Sequence, residues 1–483
     1  MSIEEIHQVF DLNQDTFKSI VDGFKAEYAS GLETASASGL ATMIPSYVVT
    51  LPTGEERGTY LSLDLGGSTL RVCAVELLGN SRTKLTEVRR HIAPNDPLRS
   101  SGAVAFFDWI ADTIIQLIQK VGLSTHDPLS LGVCWSFPVD QTSISAGRIL
   151  RMGKGFTIEG VEGYDLSSLF EAAFKRKELN VTVTALINDT VGTLVAHAYA
   201  NPKTRVGFIY GTGVNAAYPE KIGHMHKLKD QRNNEGHMLV NTEIDIFGSD
   251  VYLPLNKYDK ILDSNHSQPE FQLYEKMMSG ACMGELIRLA ALDMIENRAL
   301  FEGHKPVEFA VAMEFSTAIP SDIEGHVNED QDKRLDHFQN LFHFVDTDFT
   351  PTMKDLDTFT EICQIVSNRA ARLAAAAMAS LIEQQQDDLP KEDDIVIGVN
   401  GSTYEKYPLM HERILESLHT WFGPDIGNRI KLEVATDGGS IGGALIAMLA
   451  EKQQEQTEQE KRFVHEKEGR IEKEREEREN MYK

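Results

Sequence analysis

Five short apolar stretches in this chain finish the same way: "YLSLDLGG" (60–67), "TALINDTVG" (184–192), "VGFIYGTG" (206–213), "IVIGVNGS" (395–402) and "LEVATDGG" (432–439). Each reads as a buried strand that runs into Asp, Asn, Thr or Gly at its carboxyl end, where open α/β sheets place their ligands. One such turn would be an ordinary structural feature. Five of them point to an α/β fold that collects ligand loops at its strand ends.

The remaining pattern fits that frame. Helical spacing of apolar residues runs over 3–34, 103–120, 271–293 and 358–386, and "PSYVVTLPTGEERG" (45–58) reads as an extended segment ending in a turn. Within the last helix "RAARLAAAAMASLI" is small and apolar on nearly every face, which predicts a helix buried against a sheet. At 483 residues, 41% of them hydrophobic, the chain can build two cores, so two domains with a cleft between them are expected. From Glu451 onward the composition changes to 11 Glu against 9 Lys and Arg, which reads as a solvated helix rather than a coiled coil. That tail is the segment through which a protein partner or self-association is expected.

Charge and cysteine usage exclude several classes. The formal charge of −26 opposes direct nucleic-acid binding, which needs concentrated Lys and Arg. The four cysteines are too scattered for a CxxC site or a disulfide framework and suit a reducing compartment. The amino-terminal residues lack the pattern of a signal peptide, and no run reaches membrane-spanning length, so no membrane insertion is expected. His224, His226 and His237 read as solvated loop residues, and no metal ligand set is assigned.

Neither a Walker A motif nor GxGxxG is present, and the "HRD" and "DFG" strings of protein kinases are missing too. Phosphate would then be held by backbone amides in glycine turns and by small hydroxyls, with magnesium supplying positive charge. In this scheme Asp64 orients the metal or its waters, while Gly66 and Gly67 let the backbone approach. Asp189, in "INDTVGTL", stands where a strand would aim it at the ligand end of a sheet. It reads either as the carboxylate that accepts the proton of an attacking hydroxyl or as a helix cap.

The passages "LSLDLGGSTLRV", "SFPVDQTSISAGRILRMGKGF", "ALINDTVGTLVAHAY", "GFIYGTGVNAAY", "NTE", "YDKILD", "YEKMMSG" and "DGGSIGGALIA", in this order, closely resemble the eukaryotic hexokinases, especially the fungal ones of this length. The resemblance runs from about residue 38 to 450. It implies a two-lobed actin-like, ribonuclease H-like ATPase fold of the hexokinase type with a ligand cleft between lobes. The expected division is 1–55 plus 189–435 for the large domain, 56–188 plus 436–450 for the small one, and 451–483 for the charged tail.

By the same resemblance, Asp189 is the base and Lys154 a catalytic cation, and Ser136, Lys154, Asn188, Asn215, Glu243 and Glu275 surround a hexose. MgATP would be held by Asp64, Leu65, Gly66, Gly67, Ser68, Thr69 and Thr212, with Gly401, Ser402, Asp437, Gly438, Gly439 and Ser440 lining the adenosine. The implied activity is ATP-dependent phosphorylation of glucose, fructose or mannose at the 6-hydroxyl, in the cytoplasm, with the nucleus or mitochondrial surface as further locations.

Several positions depart from the family pattern. Thr69 stands where an Asn is usual, Gly153 where a Thr precedes the lysine, Ile244 and Asp245 where an aromatic and Gly follow "NTE", and Asn400 where an Asp is usual. Gly439 and Ser440 reverse the customary order. These changes cluster in ligand loops. They give a second reading, a catalytically impaired sugar-sensing regulator of nutrient responses, extracellular protease production included.

Overall fold

The computed structural model describes residues 2–34, 42–228, 235–345 and 348–481. The chain begins with α1 (Ile3–Phe10), α2 (Gln14–Glu33) and a short β1 (Ile44–Pro45). Next come β2 (Arg57–Leu65), β3 (Thr69–Gly79), β4 (Arg82–His91), α3 (Ala103–Lys120), β5 (Leu129–Trp135), β6 (Val139–Gln141), β7 (Gly147–Ile149), α4 (Leu166–Arg176), β8 (Val181–Ile187) and α5 (Asp189–Ala200). Then follow β9 (Thr204–Tyr210), β10 (Val214–Lys221), β11 (His237–Asn241), α6 (Lys257–Asn265), α7 (Leu273–Met278), α8 (Met283–Glu296), α9 (Ala318–Gly325), α10 (Gln331–Leu341) and α11 (Met353–Gln384). The chain closes with β12 (Ile395–Asn400), α12 (Ser402–Lys406), α13 (Met410–Gly427), β13 (Ile430–Val434) and α14 (Gly443–Met481).

Two compact units result, Met1–Pro45 with Lys203–Thr436 and Ser46–Pro202 with Asp437–Lys483. These bounds differ from the expected ones in that residues 46–55, 189–202 and 451–483 fall in the second unit and Thr436 in the first. Ser81 donates its backbone N–H to the Gly54 carbonyl, which ties the first segment to the β3–β4 turn, and α5 packs on the turn 438–442.

Among the described residues, the first unit holds a six-stranded sheet ordered β1-β11-β10-β9-β12-β13, in which β9, β12 and β13 are parallel. The second holds a five-stranded sheet ordered β4-β3-β2-β5-β8, with β2, β5 and β8 parallel. The five stretches singled out in the sequence are β2, β8, β9, β12 and β13, the parallel strands whose carboxyl ends carry the turns. β5, nearly continuous in apolar residues, is the central parallel strand whose ending "WSFP" gave no glycine signal.

Local chemistry breaks two of the expected helices. The helix expected over 3–34 ends at Phe10 because Asn13 caps a new one, accepting from the Thr16 N–H at 2.9 Å. The helix expected over 271–293 is interrupted at 279–282, where the backbone of Gly280 abuts the β9–β10 turn. A Cβ at Gly280 would lie 2.4 Å from Thr403 Oγ1 and 2.7 Å from the Gly211 carbonyl oxygen. The alanine-rich α11 has the helices α2, α8 and α13 as close neighbours, so its small side chains serve helix-to-helix approach rather than the expected packing on a sheet alone. The charged tail is no separate element: α14 starts as a core helix with Ala444–Met448 fully buried and runs on without a break. Its last two residues, 482 and 483, lie outside the described residues, as do the side chains of 460, 464–466 and 468–481, on which much of the expected charge pairing falls.

The core of the first unit contains a buried ion pair within the "YDKILD" region. Arg369 on α11 donates to both oxygens of Asp259 on α6, at 2.8 and 2.6 Å, and its guanidinium carbon lies 4.6 Å from the centre of the Phe10 ring. Removing one partner strands a charge away from water. Asp259→Ala should therefore lower the unfolding free energy by about 3–5 kcal/mol, whereas Asp259→Leu combined with Arg369→Met should lose much less. Urea denaturation of the three proteins side by side checks this.

Candidate active site

In the second unit, β8 delivers the chain into α5. Asn188 is the N-cap, accepting from the Thr190 N–H at 2.8 Å, and Asp189 is the first helical residue. Of the two readings of "ND", the cap is Asn188. That leaves the Asp189 carboxylate, which accepts from the Thr190 hydroxyl at 3.2 Å, available for other work. Asp189 keeps a solvent-open face while the protein packed around it desolvates its carboxyl. Burial raises its pKa, opposed by the Thr190 hydroxyl and by the charge of Lys154.

Asp64, at the end of β2, is the second carboxylate. Burial raises its pKa, and the charge of Asp189 raises it further, while Arg71, the Cys134 thiol and Lys154 favour its ionised form. The turn that follows is tight: the Gly66 N–H donates to the Thr69 carbonyl at 3.0 Å, closing the hairpin of β2 and β3. A Cβ on Gly67 would come within 3.2 Å of the Lys154 side chain, so the glycine turn and the lysine share one space. Lys154 itself has left-handed backbone (φ 53°). Gly153 before it is open, and a Cβ there would meet nothing within 4 Å. Ser136, just beyond β5, donates its backbone N–H to the Leu65 carbonyl at 3.4 Å, which draws it to the same strand ends.

Arg99 was not singled out in the sequence. It donates to the carbonyls of Ala93, Lys154, Gly67 and Ile92 at 2.7–2.9 Å and stacks on Phe156, so one guanidinium fixes both the glycine turn and the lysine loop. Only a lone arginine among loop residues marked it in the sequence. Arg71, also missed, pairs with Glu87 and reaches Asp437 at 3.4 Å.

The "DGGSIGG" segment forms a π turn, Gly438–Gly442, at the head of α14. Gly438 and Ser440 are buried, the former against Thr193, whereas Asp437 is exposed and Gly439 partly so. A Cβ on Gly439 would lie 2.8 Å from Asp64 Oδ2, so glycine keeps the space beside that carboxylate clear. An oxygen ligand with free space beside it fits a hydrated magnesium ion.

The first unit contributes its own cluster. Asn215 on β10 donates to Asn241 at 3.0 Å and to Glu243 Oε1 at 3.3 Å, and Asn241 donates to the same Glu243 oxygen at 2.5 Å. Glu243 is held in left-handed backbone (φ 52°) at the start of a short 3-10 turn. Glu275 on α7 accepts from the Val214 N–H at 2.9 Å. Gly213 makes that contact feasible, since a Cβ there would sit 2.5 Å from Glu275 Oε2. Burial pushes the pKa of Glu275 up to about 7, helped by the charge of Asp245. Asp245, one of the unusual residues, accepts from Gln272 Nε2 at 2.7 Å, and its unusual neighbour Ile244 is fully buried.

Thr212, whose carbonyl accepts from the Ala281 N–H at 3.1 Å, follows Gly211, and the backbone at Gly211 is stitched to the turn at Gly401 and Ser402 in the same unit. The Thr403 hydroxyl donates to the Gly211 carbonyl at 2.7 Å, and Gly401, at φ 131°, would place a Cβ 2.5 Å from the Tyr210 carbonyl. Asn400 donates its side-chain amide to the Ala435 carbonyl at 2.7 Å, which the usual carboxylate could not do.

Comparison with known proteins places this arrangement. Two family models, both described as hexokinase, match residues 2–199 and 205–449. The chain is 34% identical to Hexokinase-1 of Schizosaccharomyces pombe over 453 residues, covering 93% of this chain and 91% of that protein. It is 33% identical to Hexokinase-1 of Saccharomyces cerevisiae, covering 93% of each. A solved hexokinase from Schistosoma mansoni, complexed with glucose, superposes with a TM-score of 0.76 at 30% identity, over 92% of this chain and 97% of that one. With both units matched in order and nearly end to end, the chain belongs to the hexokinase family, whose activity is the ATP-dependent phosphorylation of hexoses.

Proposed function

We propose that the chain transfers the terminal phosphoryl group of ATP to the 6-hydroxyl of a hexose such as glucose, with Asp189 as the general base. The observation that carries this reading is the placement of Asp189: a solvent-open carboxylate of raised pKa at the start of α5, with Lys154 and Asp64 near enough to influence each other's charge. On this reading the second unit offers Ser136, Lys154 and Asn188 as sugar-binding groups, and the first, taken by itself, offers Asn215, Glu243 and Glu275. A polyhydroxylated ligand needs many such donors and acceptors, and a site built from them rejects analogues that leave any unpaired.

In the reaction, the Asp189 carboxylate takes the hydroxyl proton as the sugar oxygen bonds to the terminal phosphorus, and the bond to the departing ADP oxygen breaks. Lys154 stabilises the charge on the transferring group. Asp64 would hold magnesium, which when bound would supply positive charge beside the phosphates. Asp64 to Thr69, with Thr212, would receive the phosphates, and Gly401, Ser402, Asp437 and Gly439 the nucleoside side. Gly438 and Ser440, buried in the same turn, would line the adenosine through their backbone. Turnover is preferred to a regulator without it because none of the unusual residues removes the base, the lysine or the sugar carboxylates. Four free, buried cysteines suit the cytoplasm.

Asp189→Asn keeps the shape and removes the base. Its kcat in a coupled assay with MgATP and glucose should fall at least ~100-fold, while glucose still raises the melting temperature. Loss of less than tenfold would remove Asp189 from this role.

Glu275 gives a pH signature. With its pKa at about 7, it is half protonated at neutral pH in the free protein, and sugar hydroxyls prefer the carboxylate as acceptor. Glucose affinity should therefore strengthen about tenfold between pH 6 and 8, and this slope should vanish in Glu275→Gln. The same raised pKa means that the folded state binds the proton more tightly than the unfolded one, so stability falls as the pH rises from 4.5 to about 7 and the loss is complete above that. Glu275→Gln should melt higher than the parent at pH 8, with the gain shrinking toward pH 5, as calorimetry at the two pH values would show.

A further inference from the structure

The segment "IEGHVNEDQDKRLD" (323–336) has no part in the proposed chemistry, yet with the residues flanking it, Asp322 and His337, it assembles a cluster of metal-ligating side chains in the first unit. Asp322 and His326 are four residues apart at the end of α9, hence on one face. His337 comes from α10, and its Nε2 is hydrogen-bonded to Asp322 Oδ2. The two imidazole rings lie 4.6 Å apart, centre to centre. One ligand atom from each of Asp322, His326 and His337 falls within 4.8 Å of the other two.

The tautomer of His326 is set. Its Nδ1–H donates to the Asp322 carbonyl at 2.7 Å, which leaves the lone pair on Nε2, and Glu329 Oε1 stands 4.0 Å from that nitrogen. A backbone carbonyl holding the non-ligating nitrogen is the usual support for a metal-bound histidine. All three side chains are partly open, so an ion can enter.

The backbone beneath is rigid. Glu324, two residues from Asp322 in the chain, is 3% exposed and accepts from Ser367, Tyr407 and Arg413 at 2.7–2.8 Å. Phe338, next to His337, is buried among Phe301, Phe342 and Phe359. The two ligand-bearing helices are therefore anchored independently of any ion, and only side-chain rotations separate the observed spacing from the ~3.4 Å between ligands of a tetrahedral zinc.

We propose that Asp322, His326 and His337, with Glu329 as a fourth ligand, form a site for a divalent transition metal of the zinc class that clips α9 to α10. Two imidazole nitrogens favour such a metal over magnesium, which prefers oxygen ligands throughout. The site lies on elements other than those carrying the sugar and nucleotide groups. Its role is structural.

The test is calorimetric titration of the full chain with Zn2+, after chelator treatment and in excess Mg2+. Saturable binding of one ion per chain is expected, at least ~10-fold weaker in His326→Gln and in His337→Gln and unchanged in His224→Gln. Zinc should also raise the melting temperature of the parent and not of His337→Gln, with glucose phosphorylation by each variant showing that it is folded. Absence of saturable binding, or equal binding by the parent and both cluster variants, would overturn the proposal.

Discussion

Backbone pressed on backbone at glycine is the constraint on which the second unit depends. A Cβ at Gly132 on β5 would lie 2.1 Å from the Gly443 carbonyl oxygen, and one at Gly442 would lie 2.1 Å from that of Gly192. No side chain fits between these segments. The head of α14 is thereby seated against the middle of the sheet and against α5, and the turn 438–442 is carried to the edge of Asp64. Two carboxylates from distant parts of the sequence come to share one electrostatic environment because four glycines let their supporting elements touch.

That environment is asymmetric in a useful way. Asp64 and Asp189 are both desolvated, and the charge of Asp189 weighs on Asp64, so each is harder to ionise than a surface aspartate, and Lys154 is the cation that offsets both. The cluster of Asn215, Asn241 and Glu243 works differently, since neutral amides converge on one carboxylate oxygen. Glu275 is tuned by burial and by its neighbour Asp245 more than by a partner cation.

Much of this was legible in the sequence, and the reasons differ by residue. The parallel strands could be read because each is a short apolar run stopped by a turn residue, and Asp189 because its strand fixes its direction. The breaks in the first and third expected helices were not legible from periodicity, which continues across Asn13 and across Ser279. Asn13 was a readable cap, whereas the interruption at Gly280 depends on contact with a turn seventy residues away in sequence. The same limit explains the burial of Gly438 and Ser440, which depends on tertiary contact with α5. Asn400 looked like a lost carboxylate until its amide was found donating to Ala435. The Asp322, His326 and His337 cluster was hidden because its third member arrives from the next helix.

Arg99 carries a consequence of its own. Its fork reaches four carbonyls in separate stretches of chain, among them those of Gly67 and Lys154, and a lysine could not reproduce that planar spread of donors. The loop expected to meet phosphate and the loop that aims the ammonium are therefore not independent parts. Loss of this single guanidinium would loosen the glycine turn and the lysine loop together.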